Sequence, residues 1–570
     1  MNDHQRPNDR NETQTIDPYA RSAETFREPP SGFLPTLKHL GPGMILVGSV
    51  VGSGELIMTT KLGAVAGFTL LWLVLFSCLI KVVVQGELVR HTISSGKTFL
   101  TVFNSLPGPR SRRPVWLNLE WLAVVLLSSY SALAIYMNSI EKSTKSAILL
   151  IVEVLAIWIL WAFWIRARHN RKENRAVRDE KPEQRPDVNW IIWLWMLTVL
   201  IMFANGGAIL GASGQALQLA FPNVLGENGW DVLFEIGWIA APVNGSVYWA
   251  VIVGLVAGSI LIFGGYRTLE RISISLVVAF TLITVLCTFL IQQTGYAISP
   301  QELREGLSFD IPLPVTVTLV LAALAMYAGT GIGTGEMIAY SYWCVEKGYA
   351  RNVGEQQPGT EWPKRATGWI RVMYTDVLIT MVVYTVSTIC FYLLGAAILH
   401  KKNLDPDGEQ TISILQGVYT ESLGNWAATL FVVGAFIVLF STVVSGIAGG
   451  TRTLTDGLCV MGILDPKNFS ARKKFFHIFA VVTLVVQAGT YSLFKNPPMM
   501  LMVTSIAAVT MYPVIGLGTI YLRHRDVDPH ITPGKVTTLW LWICGIALAI
   551  ISPAAILLAL AIERGWISIG

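Results

Sequence analysis

Two short stretches hold the residues best suited to chemistry. Gly52-Ser53-Gly54-Glu55-Leu56 and Gly333-Thr334-Gly335-Glu336-Met337 each set a carboxylate behind a run of small residues, inside an otherwise apolar segment. A carboxylate at the centre of a membrane helix costs about 2.5–3.5 kcal/mol on insertion scales, so it demands a partner. Each glycine weakens a helix by ~1 kcal/mol against alanine, and irregular backbone at membrane depth persists only where it is buried in protein or lines a cavity. If both carboxylates face one midplane cavity ~5 Å apart, they repel by about 3 kcal/mol at an effective dielectric near 20. A divalent cation, a pair of Na⁺ ions or a shared proton would relieve that repulsion. Broken helices also aim carbonyls and negative half-helix ends into the gap, which favours cations. The competing reading of either motif alone is tight helix packing, which uses the same small residues. Two matching interruptions in corresponding places favour a substrate site between inverted repeats.

The elements that must position these motifs are membrane helices. Of 570 residues, 53% are hydrophobic and only 14% charged, where a soluble protein carries about 25% charge. The 19 Trp and 50 Gly fit helices that tolerate glycine and place tryptophan at lipid interfaces. About thirteen apolar runs approach the ~20 residues that a bilayer crossing needs: 40–60, 67–90, 115–137, 146–166, 189–218, 246–264, 271–292, 313–343, 370–398, 424–450, 475–494, 499–522 and 538–562. Residues 1–35 are polar and are expected to be a disordered cytoplasmic tail before a transmembrane domain over 36–562.

Charge placement sets an expected orientation. Arg110, Arg112 and Arg113, the dense run 166–185, Arg267 and Arg271, Lys347 and Arg351, Arg472–Lys474, and Arg523 and Arg525 alternate with loops poor in cations, such as 221–245. The positive-inside rule then predicts a multi-pass protein of the cell (inner) membrane with its N-terminus in the cytoplasm. The net charge of +5 is spread over these loops, so lipid is the expected partner and nucleic acid is not. Cys78, Cys287, Cys344, Cys390, Cys459 and Cys544 form no CxxC pair, and the 8 His show no metal or catalytic spacing. No enzyme activity and no resident cofactor are expected.

Gly41-Pro42-Gly43 ahead of an apolar run, Gly67-Phe68-Thr69-Leu70-Leu71-Trp72, Ile209-Leu210-Gly211 within the run ending at Pro222, Gly264-Gly265-Tyr266-Arg267-Thr268-Leu269-Glu270-Arg271 and Pro513 occur in an order that resembles the Nramp family of divalent-metal transporters. That resemblance implies the LeuT fold: an all-α integral membrane inverted-repeat transporter with broken helices. It also implies an eleven-helix core, interrupted here by a two-helix insertion and basic loop at about 110–188. Where the family carries Asp-Pro-Gly-Asn in its first helix, this chain reads Gly52-Ser53-Gly54-Glu55. The family's Ala-x-x-Met-Pro-His becomes Gly331-x-x-Thr334-Gly335-Glu336, so hard oxygen donors stand where a thioether would favour soft metals. The third-helix carboxylates tied to proton movement become Asn205 and Ala208, a tenth-helix Gln becomes Ser505, and Asp376 keeps a family carboxylate.

These residues lead to an expected substrate site of Gly52, Ser53, Glu55, Gly331, Thr334, Glu336 and Ser505. Glu55 and Glu336 would contact the metal, while Asn205 and Asp376 would serve coupling or gating. Asp376 reads equally as an interface carboxylate satisfied by hydrogen bonds. The leading function is a carrier, expected to be a monomer, that moves a divalent cation with weak or no proton coupling. Mg²⁺ comes first and Mn²⁺ second, because an all-oxygen site suits an ion that keeps several waters. The alternative is a symporter for a small organic solute coupled to Na⁺ or H⁺, with Tyr327, Tyr340 and Trp343 lining its pocket.

Overall fold

This computed structural model describes residues 18–19, 26–114, 117, 185–225, 245–264, 266–357, 359–525 and 528–569. The expected spans 115–137 and 146–166 and most of the basic loop after them lie outside the described residues. The other eleven expected spans each correspond to a helix or a helix pair. In chain order these are α1 (Pro42–Val50) and α2 (Thr60–Ala66), joined by a π-helical stretch over Val51–Thr59; α3 (Leu71–Ser95); α4 (Trp190–Ala220); α5 (Gly245–Phe263); and α6 (Tyr266–Leu290). The second half repeats the pattern: α7 (Val317–Gly329) and α8 (Thr334–Lys347), α9 (Glu361–Leu394), α10 (Trp426–Val460), α11 (Phe469–Phe494), then α12 (Pro497–Val509) and α13 (Tyr512–Arg525). A final α14 (Lys535–Glu563) follows. Among the described residues nine helices are long and apolar enough to cross a membrane, or ten if the bent α1–α2 unit counts as one.

Local chemistry explains where the helices stop. Thr316 caps α7 by accepting from the Leu319 amide, and Asn496 caps α12 by accepting from the Met499 amide, with Pro497 and Pro498 in the first turn. Such caps satisfy amides that have no partner within the helix. Gly96 and Gly348 close α3 and α8 in the left-handed region, where a side chain would be strained.

The helices pack in two ranks. α4 lies against α5, α10, α11 and α12, while α3 lies against α8, α9, α13 and α14. Buried aliphatic and aromatic residues from both discontinuous units join one core. Leu255, Leu282, Val485 and Leu557 point outward and stay largely exposed, as lipid-facing residues do. Within the tail 1–35, residues 26–30 run across α9: the Arg27 amide donates to Asn352 O at 3.0 Å and the Trp369 indole donates to Arg27 O at 2.9 Å. A short helix, Phe33–Leu37, follows.

Beside the bundle, β1 (Arg110–Arg112) pairs antiparallel with β2 (Asp187–Asn189), Arg110 opposite Asn189 and Arg112 opposite Asp187. The two ends of the expected insertion therefore meet in one ribbon.

Candidate functional site

The two glycine-carboxylate motifs sit on the two discontinuous units, which cross at their centres. A Cβ on Gly54 would overlap the Gly329 carbonyl, and a Cβ on Gly329 would stand 3.1 Å from the Gly54 Cα. Backbone meets backbone there, which only glycine allows. The first motif is not unwound. Thr442 Oγ1 receives the Gly52 amide at 3.1 Å and donates to Gly48 O at 2.9 Å, and Thr59 Oγ1 donates to Gly54 O at 3.0 Å. These hydroxyls serve backbone groups that the wide π turn leaves poorly paired, and the unit bends by 44° across it.

The second motif follows a true break. α7 ends at Gly329, residues 330–333 are not helical, and Gly331 takes φ +66°. The carbonyls of this gap are already occupied. Lys81 of α3 is fully buried, and its ammonium donates to Tyr327 O and, at 2.8 Å, to Thr330 O. It stands 4.8 Å from the Tyr327 ring centre and 5.3 Å from that of Tyr512. The Tyr512 hydroxyl reaches Ala328 O at 3.0 Å and Ile332 O at 3.4 Å.

Glu336 lies in the first turn of α8, where the partial positive charge of the helix end favours a carboxylate. It lines a cavity of about 180 Å³ between α1, α4, α8, α10, α11 and the α12–α13 junction. Thr334, Ser49, Thr442, Ser445, Asn205 and Gln487 supply oxygens and amides to that cavity, and Trp195, Phe203 and Trp343 supply aromatic walls. Glu336 is the one charged side chain among the described residues lining it.

Glu55 is elsewhere. It is wholly buried and does not line the cavity. Its surroundings are the Thr388 hydroxyl, the Gly331 backbone and Cys78, and neither carboxylate oxygen completes a hydrogen bond. Glu55 and Glu336 therefore do not line the same cavity in this structure. The Gly54–Gly329 contact seals the crossing and turns Glu55 toward α3 and α9. Among the described residues no group of three or more His, Cys, Asp or Glu side chains is placed to hold a metal ion.

The remaining predicted residues divide. Gly52 packs against Thr442. Ser53 belongs to the π stretch, but its side chain lies outside what the structure describes. Ser505 is buried and donates to Met502 O at 2.5 Å, away from the cavity lining. Asn205 does line the cavity and donates to Thr504 Oγ1 at 3.2 Å. Asp376 lies outside that lining and accepts from the Gly41 amide (3.3 Å), the Gly43 amide (2.7 Å) and the Tyr340 hydroxyl (2.8 Å). It caps α1 and ties it to α8 and α9. Tyr327 and Tyr340 do not line the cavity either.

Sequence reasoning missed Lys81, Tyr512, Gln487 and two thioethers, Met202 and Met511, that line the cavity. Lys81 had a signal: it is a cation deep in the apolar run 67–90, and intramembrane charges mark functional sites. The methionines had none, since Met202 on α4 and Met511 at the α12–α13 junction lie far in sequence from either motif.

The sequence profile of the Nramp family, described as natural resistance-associated macrophage protein-like, matches residues 181–558. No curated protein matches the chain in sequence. In structure, the chain is similar to a mutant of the Eremococcus coleocola manganese transporter (TM-score 0.54, 13% identity, 95% of this chain and 91% of that one). The same transporter bound to an aromatic bis-isothiourea compound gives a TM-score of 0.53 at 13% identity, over 95% of this chain and 91% of that one. MhsT in complex with L-phenylalanine gives 0.50 at 14% identity, over 94% and 99%. These likenesses establish the LeuT-type inverted-repeat fold.

Proposed function

The chain belongs to the natural resistance-associated macrophage protein-like family, and from that membership we propose that it is a secondary carrier of a divalent metal cation. It is a multi-pass membrane protein. The observation that carries the proposal is the lone Glu336 carboxylate in a cavity otherwise lined by hydroxyls, amides and apolar walls. One carboxylate and several neutral oxygens suit an ion that keeps much of its water, as Mg²⁺ does, and Mg²⁺ is the first cargo of this reading. Mn²⁺ stands second, supported by Met202 and Met511 in the lining, because thioethers favour softer metals. Asn205 offers no titrating proton where it faces the cavity, so uptake runs with weak or no proton coupling. The protein works as a monomer in the inner membrane, its N-terminus in the cytoplasm, in keeping with the loop charges.

Uptake by proteoliposomes loaded with metal and pH indicators tests this. Saturable Mg²⁺ influx, reduced in Glu336→Gln and without acidification, supports the reading; absence of flux of both metals from folded protein removes it. A second reading, a carrier of a small organic solute, draws on Trp195, Phe203 and Trp343 in the same wall. It predicts solute-dependent thermal stabilisation with no response to either metal.

A further inference from the structure

The gap between α7 and α8 has the chemistry of a small-cation site. It lies at the C-terminal end of α7, where a helix carries partial negative charge, and it exposes the carbonyls of Tyr327, Ala328, Thr330 and Ile332. Gaps of this kind in inverted-repeat carriers coordinate ions through unwound carbonyls. Here the chain supplies the donors itself. The Lys81 ammonium reaches two of the four carbonyls, and the single hydroxyl hydrogen of Tyr512 is shared by the other two, Ala328 O at 3.0 Å and Ile332 O more weakly at 3.4 Å.

The ring faces of Tyr327 and Tyr512 flank the same ammonium at 4.8 and 5.3 Å, and aromatic faces attract a desolvated cation. Lys81 is 0% exposed. It also lies within electrostatic reach of Glu336. A charge that deep persists only with such a set of partners.

We propose that Lys81 is a resident, tethered cation that fills the α7–α8 gap in place of a small monovalent ion. It acts as a specificity-determining residue: it excludes Na⁺ from the gap and confines the transported cation to the cavity beside Glu336. This assignment rests on the carrier reading above, and it adds that transport needs no Na⁺ because that charge is supplied by the chain.

Removal of the tether turns the gap into a binding site that can be read directly. Lys81→Ala leaves a void with two free carbonyls and two aromatic faces, sized for the lost amine. In full-length protein in nanodiscs, its melting temperature is expected to fall by several degrees. Methylammonium or Na⁺ should restore it in a saturable way, while choline at equal ionic strength should not, and wild type should respond to none of them. Lys81→Gln is one bond shorter and keeps an amide donor without the charge, and it takes the same titration if the alanine variant does not fold. In proteoliposomes, Mg²⁺ uptake by Lys81→Gln should become Na⁺-dependent, against Na⁺-independent uptake by wild type.

A Lys81→Gln protein as stable as wild type, with no saturable response to either small cation, overturns the proposal and makes Lys81 an ordinary hydrogen-bond donor. The arms separate this idea from the carrier reading. Rescue by methylammonium with no metal flux in wild type removes metal transport and keeps the tethered cation. Metal flux in wild type with no rescue in either variant does the reverse.

Discussion

The two halves carry nearly the same five residues and use them in opposite ways. At Gly52-Ser53-Gly54-Glu55 the glycines bring two backbones together and the carboxylate is turned into the protein. At Gly333-Thr334-Gly335-Glu336 nothing lies within 4 Å of a Cβ built on Gly335, and the carboxylate opens onto the cavity. The difference comes from the partners. Thr442 and Thr59 heal the first bend, whereas the second gap is held open by Lys81 and Tyr512. A shared local sequence therefore does not fix a shared role; the side chains that reach it from other helices do.

The sharpest way to break this comparison is charge removal at both carboxylates. Glu336→Gln is expected to reduce cation uptake by roughly tenfold or more, the effect of losing at least 1.4 kcal/mol of binding. Glu55→Gln is expected to keep most of the flux. Equal losses in proteoliposome uptake would mean that both carboxylates share one site after all.

The glycines give the next largest contrast. Gly54→Ala forces a Cβ into the Gly329 carbonyl, and overpacking of this kind costs about 1–3 kcal/mol or more. Its match, Gly335→Ala, has open space and should stay within about 0.5 kcal/mol of wild type. Thermal unfolding of the two variants in one detergent measures the difference directly.

Two smaller effects refine the first motif. Thr442→Val deletes the hydroxyl bonded to Gly52 N and Gly48 O, at a cost of about 1 kcal/mol per bond. Its melting temperature should fall, and because Thr442 also lines the cavity, the apparent KM for the cation should rise, though by less than in Glu336→Gln. Glu55→Met replaces an unsatisfied buried carboxylate with an apolar side chain of similar volume, an exchange that is often neutral or stabilising. A large drop in its melting temperature would show that Glu55 holds a partner in the native state.

The fold was legible because the bilayer demands long apolar runs. All eleven expected spans outside the insertion fall on helices or helix pairs, and glycine-rich stretches located both discontinuous units. Glu336 and Thr334 were legible as cavity residues, since a carboxylate beside a break has few other uses. The facing of Glu55 was not legible, because it depends on how Gly54 meets Gly329, a contact between residues 275 positions apart that no local pattern encodes. The partners of Asp376 were hidden for the same kind of reason: Gly41, Gly43 and Tyr340 come from two other elements. Met202 and Met511 were hidden among many apolar residues, one on α4 and one at the α12–α13 junction, whose facing only the packing distinguishes.

The β1–β2 ribbon has an architectural consequence. Because Arg112 stands opposite Asp187, the chain leaves the bundle and returns to it at one point, so the connection between these two residues puts no tension on the core. A two-residue turn closes an antiparallel pair, and the core therefore has a ready-made splice point. There the intervening segment can be excised or exchanged for another domain, with the register of α3 and α4 left as it is.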